Sequence, residues 1–293
     1  MICANVTSLG NILEKAIHRL SAVGCDTPRL DAEVLLAHNL GRERTWLYLH
    51  PSDSLDENQE KQFEELLHRR EQREPVAYII GHKEFFGLEF QVNPHVLIPR
   101  PDTELLVETA IKWSIINNQL SIVNRKFTIV DVGTGSGCIA VALAKHTPDL
   151  SIIAVDTSPE ALRLARLNAE QHAVADRITF LSGDLLELLL EPVDLIVSNP
   201  PYVSQPELAA AMPEVSKYEP RLALDGGPDG LEVIRRLLSQ AREKLARGGS
   251  LLVEIGSGQG QVVFQLAHSY FPKADIQIKQ DLAGLDRLLV VQM

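Results

Sequence analysis

The stretch Phe127-Thr-Ile-Val-Asp131-Val-Gly133-Thr134-Gly135-Ser136-Gly137-Cys138 decides the fold. An apolar run with strand character enters a glycine-rich loop, and the helix-favouring segment Cys138–His146 leaves it. Glycines let a backbone approach a ligand closely, and the free N–H groups at a helix start attract carboxylate or phosphate. About 20 residues on, Ile152-Ile-Ala-Val-Asp156 ends a second apolar run on a carboxylate, placed to accept hydrogen bonds from both hydroxyls of a ribose. Asp184, after Ser182-Gly183, ends a third run within reach of an adenine. The pattern reads as a nucleoside-binding loop. Gly135-Ser136-Gly137-Cys138-Ile139-Ala140 also satisfies G-x-G-x-x-A, so the loop leaves two nucleoside ligands open, a dinucleotide among them.

Strand and helix alternate on either side of this loop. Apolar runs at Phe127–Val132, Ile152–Val155, Ile178–Leu181, Leu195–Val197 and Leu251–Ile255 are separated by helical segments at Cys138–His146, Pro159–His172 and Leu231–Arg247. Continuous apolar strands with helical crossovers imply an α/β fold whose parallel sheet is covered on both faces. Ile276–Ile278 and Arg287–Gln292 read as a closing hairpin, which makes the last strand antiparallel.

Upstream, residues 8 to about 75 carry helical periodicity and no strand pattern, for example Leu9, Ile12, Leu13, Ala16, Ile17 and Leu20. We divide the chain into a helical domain at 1–75, a β-hairpin linker at 76–95 and an α/β domain at 96–293. In the linker, Ala77–Gly81 and Phe85–Val92 read as two strands. Asp102 or Thr103 is placed to cap a helix over Leu105–Ile116. Trp46, Tyr48 and Phe63 read as helical-domain core, and the run His68–Arg73 as a solvated helix face.

A second chemical segment, Leu195-Ile-Val-Ser-Asn199-Pro200-Pro201-Tyr202, ends the fourth strand, where open α/β sheets bind ligands. Each proline holds the residue before it extended, giving a stiff turn with fixed acceptors. An –NH2 conjugated with a carbonyl or a ring is a weak nucleophile towards a methyl sulfonium. The Asn199 side-chain oxygen and the Pro200 carbonyl can each accept one of its N–H bonds. Those contacts strengthen as the nitrogen turns cationic, which stabilises the transition state more than the ground state. Tyr202 can lie against the flat group and orient it.

Composition narrows the classes. With 28 Lys+Arg against 39 Asp+Glu, the net charge of −11 argues against a general nucleic-acid binder, which needs clustered cations. Three cysteines, Cys3, Cys25 and Cys138, without CxxC spacing read as reduced thiols of a cytoplasmic chain, with Cys138 in the core. No HxxxH or HExxH pair suggests a metal. The start of the chain lacks the pattern of a secretory leader, and no apolar run reaches a membrane span, so no membrane partner is expected.

These residues resemble the class I S-adenosylmethionine-dependent methyltransferases, in which NPPY marks amino-group methylation. The resemblance narrows to the HemK/PrmC family of release factor glutamine N5-methyltransferases. It is carried by Glu74–Gly81, Phe86–Phe90, Val96–Glu104, the glycine loop, Asn199–Tyr202, Glu219–Gly230 and Gly248–Gly256 with Gln259. It implies a five-helix N-terminal module, a hairpin and a seven-stranded Rossmann-like sheet. It also implies S-adenosyl-L-methionine as cofactor and the Gly-Gly-Gln motif of class I peptide chain release factors as substrate. Gly133, Thr134, Gly135, Ser136, Gly137, Asp156, Asp184 and Asn199 would hold the cofactor. Asn199, Pro200, Pro201 and Tyr202 would hold the glutamine, with Asn199, Pro200 and Tyr202 serving catalysis. Pro99, Arg100, Thr103 and Glu104 would line the mouth. The loop has Ser136 where many relatives carry Thr, and Leu185 rather than an aromatic follows Asp184. A monomer acting on protein rather than nucleic acid is expected. The alternatives are an adenine-N6 nucleic-acid methyltransferase, a nicotinamide-dependent oxidoreductase on the same loop, and a non-catalytic binding module.

Overall fold

A computed structural model describes residues 7–120, 127–148 and 150–293, which divide into two compact units. The first runs to Gly81 and also takes in Met212–Tyr218. It contains α1 (Leu9–Ala22), α2 (Pro28–Leu40), α3 (Arg44–Leu49), α4 (Glu57–Glu71) and α5 (Val76–Ile80). Local chemistry sets the ends. Ser8 caps α1 by accepting the Asn11 N–H, Pro28 opens α2, and Gly41 closes it in the left-handed conformation. Asp56 and Gln59 form a reciprocal capping box on α4. Leu9, Leu20, Leu35, Leu36, Phe63 and Leu67 fill the core.

Three sequence expectations change here. Ala77–Gly81 is not a strand: Pro75 starts the single-turn helix α5, and Gly81, at φ +82°, ends it. Tyr48 is 59% exposed rather than core. The run His68–Arg73 is not a uniformly solvated face, because α4 turns Arg70 inward. Arg70 is buried, its Nε donates to Asp31 at 2.8 Å, and its guanidinium lies 2.9 Å from Glu214. Arg73 Nε donates to the same Glu214 at 2.6 Å. Burial pushes the Glu214 carboxyl up, but its bonds to Arg73 and Arg70 hold it below the usual carboxylate range.

The second unit begins with the hairpin of β1 (His82–Phe85) and β2 (Leu88–Gln91). The single strand expected at Phe85–Val92 is instead interrupted by a turn, because Phe86 and Gly87 both take positive φ (54° and 71°). Next come α6 (Glu104–Leu120), β3 (Thr128–Val132), α7 (Cys138–His146), β4 (Ser151–Asp156), α8 (Pro159–Gln171), β5 (Ile178–Ser182), β6 (Val193–Ser198) and α9 (Gln205–Ala210). The chain continues through α10 (Glu232–Lys244), β7 (Leu245–Glu254), α11 (Gly260–Tyr270), β8 (Asp275–Gln280) and β9 (Asp286–Gln292). Helix α10 stops at Lys244 rather than Arg247, since Leu245 already pairs with Val193 in the sheet. A 3₁₀ turn at Pro101–Thr103 leads straight into α6.

Seven strands form one sheet in the order β5-β4-β3-β6-β7-β9-β8. The first five of these are parallel, and β9 runs antiparallel to both β7 and β8. Alternate side chains go to opposite faces. Ile129 and Leu195 join Leu106, Val107 and α7 on one side; Val130 and Ile196 meet α10 and α11 on the other. Each such buried side chain contributes about 1.5–3 kcal/mol relative to exposure. Strand order reverses between β3 and β6, where Val132 is in register with Ser198. The glycine loop and Asn199 therefore leave neighbouring strands at one level, at the switch point where such sheets bind ligands.

Candidate active site

A cavity of about 320 Å³ opens at this switch point, within the size range of small-molecule sites. Gly133, Thr134, Gly135 and Ser136 form one wall, Asp156 and Asp184 another, and Asn199 and Pro201 a third. These residues come from the C-terminal ends of four different strands, β3, β4, β5 and β6. Gly137, Pro200 and Tyr202 do not reach the cavity wall.

The glycines divide by what surrounds them. A Cβ on Gly133 would meet nothing within 4 Å, and one on Gly135 only the Gly133 carbonyl at 3.9 Å, so both face open space that a side chain would take from a ligand. A Cβ on Gly137 would lie 2.9 Å from the Ala165 Cβ. Gly137 is thus required for packing α7 against α8, not for lining the cavity.

Two carboxylates hold this loop. Asp131 is fully buried, and its Oδ2 accepts the Thr134 hydroxyl at 2.6 Å and the Ala140 N–H at 3.2 Å. Burial lifts its carboxyl to about 7, against the pull of those bonds. Asp156 Oδ2 accepts the Gly135 N–H and its Oδ1 the Ser158 N–H, both at 2.9 Å. Burial raises the Asp156 carboxyl too, opposed by backbone N–H groups of Ser158, Gly135 and Thr157. From α8, Asn168 donates to the Ser136 carbonyl at 2.8 Å and brackets Gln91 of β2 through both its backbone groups.

Asp184 forms an ion pair with Arg236 of α10, and both line the cavity. Leu185 lines it as well, in the left-handed conformation at φ 52°, which a leucine rarely adopts without constraint. Arg100 and Thr103 lie on the wall, whereas Glu104 does not and instead accepts the Phe86 N–H. Arg100 is paired with Glu219.

Asn199 Nδ2 donates to the Thr103 hydroxyl oxygen at 3.1 Å, and among the described residues its Oδ1 has no partner. The Tyr202 ring, expected against a flat substrate, packs into the α10–α11 side of the core, and its hydroxyl donates to Glu254 at 3.1 Å. Its hydroxyl and ring are committed to the scaffold, not to the cavity. Gln259 Nε2 donates to the Tyr202 carbonyl at 2.9 Å and its Oε1 accepts the Gly256 N–H at 2.9 Å, clamping the loop after β6 to the loop after β7.

Glu254 was not singled out from the sequence. The available signal is a lone carboxylate closing the apolar run Leu251–Val253 at a strand end, the same arrangement as Asp156. Cys138, at the cavity edge, is a buried thiol pushed up to about 12 by desolvation, so it is no nucleophile. Cys25 is likewise buried and free, and Cys3 lies outside the described residues. Among the described residues no helix is long and apolar enough to cross a membrane.

Comparison with known proteins bears on this geometry. Residues 11–81 match the PrmC N-terminal domain and residues 114–219 the methyltransferase small domain. A release factor glutamine methyltransferase of Nitratidesulfovibrio vulgaris is 42% identical over 285 residues, covering 96% of this chain and 94% of the relative. One of Geobacter sulfurreducens is 41% identical, with coverage of 97% and 96%. Among solved structures, the hMettl16 catalytic domain in complex with MAT2A 3'UTR hairpin 6 is similar in fold, with a TM-score of 0.53 at 18% identity over 70% of this chain and 76% of that one. The full-length matches, and a methyltransferase sheet whose switch point brings the glycine loop and Asn199 to one cavity, establish that the chain belongs to the release factor glutamine methyltransferase family.

Proposed function

We propose that this enzyme transfers a methyl group from S-adenosyl-L-methionine to the side-chain amide nitrogen of the glutamine in the Gly-Gly-Gln motif of class I peptide chain release factors. The observation that carries the reading is Asn199: its Nδ2 is tied to Thr103, which leaves Oδ1 as an acceptor at the cavity.

The residues fit the cofactor. The side-chain-free faces of Gly133 and Gly135 leave a cradle, and Asp156, already fixed by Gly135 and Ser158, has lone pairs left for ribose hydroxyls. Asp184 and Arg236 suit the adenine end. When bound, the cofactor supplies an activated methyl on a sulfonium.

Asn199 Oδ1 accepts one N–H of the substrate carboxamide; the reading gives the other to the carbonyl of Pro200, which stands in the turn between the wall residues Asn199 and Pro201 without itself lining the cavity. Both contacts strengthen as positive charge develops on the nitrogen. Neither group needs to remove a proton before attack. Tyr202 serves by holding the loop through Glu254 rather than by stacking. The reading takes the enzyme as a cytoplasmic monomer that acts on protein, in keeping with its acidic balance and the buried free thiols Cys25 and Cys138.

The test is mass spectrometry of a release factor incubated with the enzyme and cofactor. A methyl mass on the Gly-Gly-Gln glutamine is expected. Methylation of adenine in nucleic acid, with none on the release factor, would overturn the reading.

A further inference from the structure

We propose that Asn168 is a positioning residue for the cofactor: its buried amide ties the glycine loop to the hairpin that leads into another wall of the cavity, and so shapes the cradle before the cofactor enters. The proposal rests on the function above.

Helix α8 approaches the site along one face. Ala161 lines the cavity, Ala165 packs beneath Gly137, and Asn168 follows one turn later. Asn168 is fully buried and does not itself line the cavity. Its Nδ2 donates to the Ser136 carbonyl at 2.8 Å and to the Gln91 carbonyl at 3.1 Å, and its Oδ1 accepts the Gln91 N–H at 2.8 Å. These partners are backbone groups of fixed polarity. The amide therefore fits only one way round; turned over, it would set donor against donor and acceptor against acceptor.

Both partners lead into the cavity. Ser136 stands on its wall. Gln91 ends β2, and Pro94, His95, Val96 and Leu97 line the cavity a few residues on. The sheet to which β2 belongs has only β1 besides, and a two-stranded hairpin alone is marginal in water. Side chains at the end of α8 complete the other edge of β2. Gln171 Nε2 donates to the Glu89 carbonyl at 3.0 Å, His172 Nε2 lies 2.7 Å from the same oxygen, and Asn168 takes both backbone groups of Gln91. Of these three side chains, Asn168 is the one that also holds the glycine loop.

Removing the amide leaves the Ser136 carbonyl without this donor and uncouples the loop from the hairpin. The cofactor must then order the cradle as it binds, and that ordering lowers affinity. Once bound, it restores the cradle, so the chemical step changes little. Asn168→Ala should raise the Kd for S-adenosyl-L-methionine ~10-fold, the scale on which a lost buried hydrogen bond reads in an equilibrium constant, while kcat at saturating cofactor stays within ~3-fold.

Two control variants separate this role from general support of the fold. Val263→Ala hollows the α10–α11 side of the core and should lower the urea midpoint, yet leave Kd unchanged, because nearly all of the protein stays folded during the measurement. Gln171→Ala loosens the hairpin but not the glycine loop, and should also leave Kd unchanged. Should Asn168→Ala not fold, Asn168→Ser, whose hydroxyl can still donate to one carbonyl, takes its place and should raise Kd in the same direction.

Backbone amide exchange by NMR reads the coupling without cofactor or substrate. In Asn168→Ala the Gln91 N–H and the Gly135 N–H should both exchange faster than in the wild type, and in Val263→Ala the two should respond no differently from the rest of the fold. A Kd for the Asn168 variant no higher than that of Val263→Ala, an equal rise in Gln171→Ala, or unchanged exchange at Gly135 would overturn the proposal. A wild-type enzyme that binds no S-adenosyl-L-methionine would overturn the proposed function, and the exchange pattern would still show whether Asn168 couples loop to hairpin.

Discussion

The Asp156 carboxylate accepts the Gly135 N–H at 2.9 Å, joining the end of β4 to the loop that follows β3. The acid that would grip the ribose therefore also shapes the glycine cradle, and one substitution disturbs both.

Asp156→Ala should raise the cofactor dissociation constant by about 10–100-fold, the scale of losing one hydrogen bond to a charged group. Turnover at saturating cofactor should fall less. Calorimetry that finds unchanged affinity would remove Asp156 from the site.

Asn199→Ala removes the one acceptor that the cavity presents from a side chain already oriented by Thr103. Turnover should drop ~100-fold or more, the cost of one missing transition-state contact. Cofactor binding should change much less. A near-wild-type rate in single-turnover kinetics would contradict the proposed role.

Asn168 is fully buried and uses its whole amide: Oδ1 accepts the Gln91 N–H at 2.8 Å, and Nδ2 reaches the Gln91 carbonyl at 3.1 Å and the Ser136 carbonyl at 2.8 Å. Asn168→Ala strands these backbone groups and should lower stability by about 1–3 kcal/mol. Urea unfolding measures the loss. An unchanged midpoint would show that water replaces the amide at no cost.

Asp131 gives a signed pH prediction. Burial raises its carboxyl from 3.8 to about 7 in the folded protein. Between those values the folded state keeps a proton that the unfolded chain releases, so this group's contribution to stability falls as pH rises through the window. The Asp131→Asn variant carries no such proton. Wild-type stability minus variant stability should decline from about pH 4 to about pH 7 and then level off. A difference that stays flat across that range in urea titrations would show that Asp131 is ionised throughout.

Much of the architecture was legible in local pattern. Helix α7 and the glycine loop follow from one stretch of glycines and small apolar residues, and the last antiparallel strand from the break at Leu282–Leu285. Sequence failed where local signals tie. Val76–Ile80 carries aromatic and β-branched residues that favour a strand, yet Pro75 and Gly81 close it as one helical turn packed on the first unit's core. Arg70 looks like part of an exposed basic run and is drawn inside by Asp31, 39 positions away.

The sequence by itself determined the family, the alternating sheet and the residues that end its strands, because periodicity and short motifs are written in neighbouring positions. Only the tertiary structure decided how those residues are held. Asn199 takes its orientation from Thr103, 96 positions away, and Tyr202 turns from the cavity to Glu254, 52 positions away. A hydrogen bond depends on a few tenths of an ångström and on which partner owns the proton, and those are settled only when the sheet brings separate strand ends side by side.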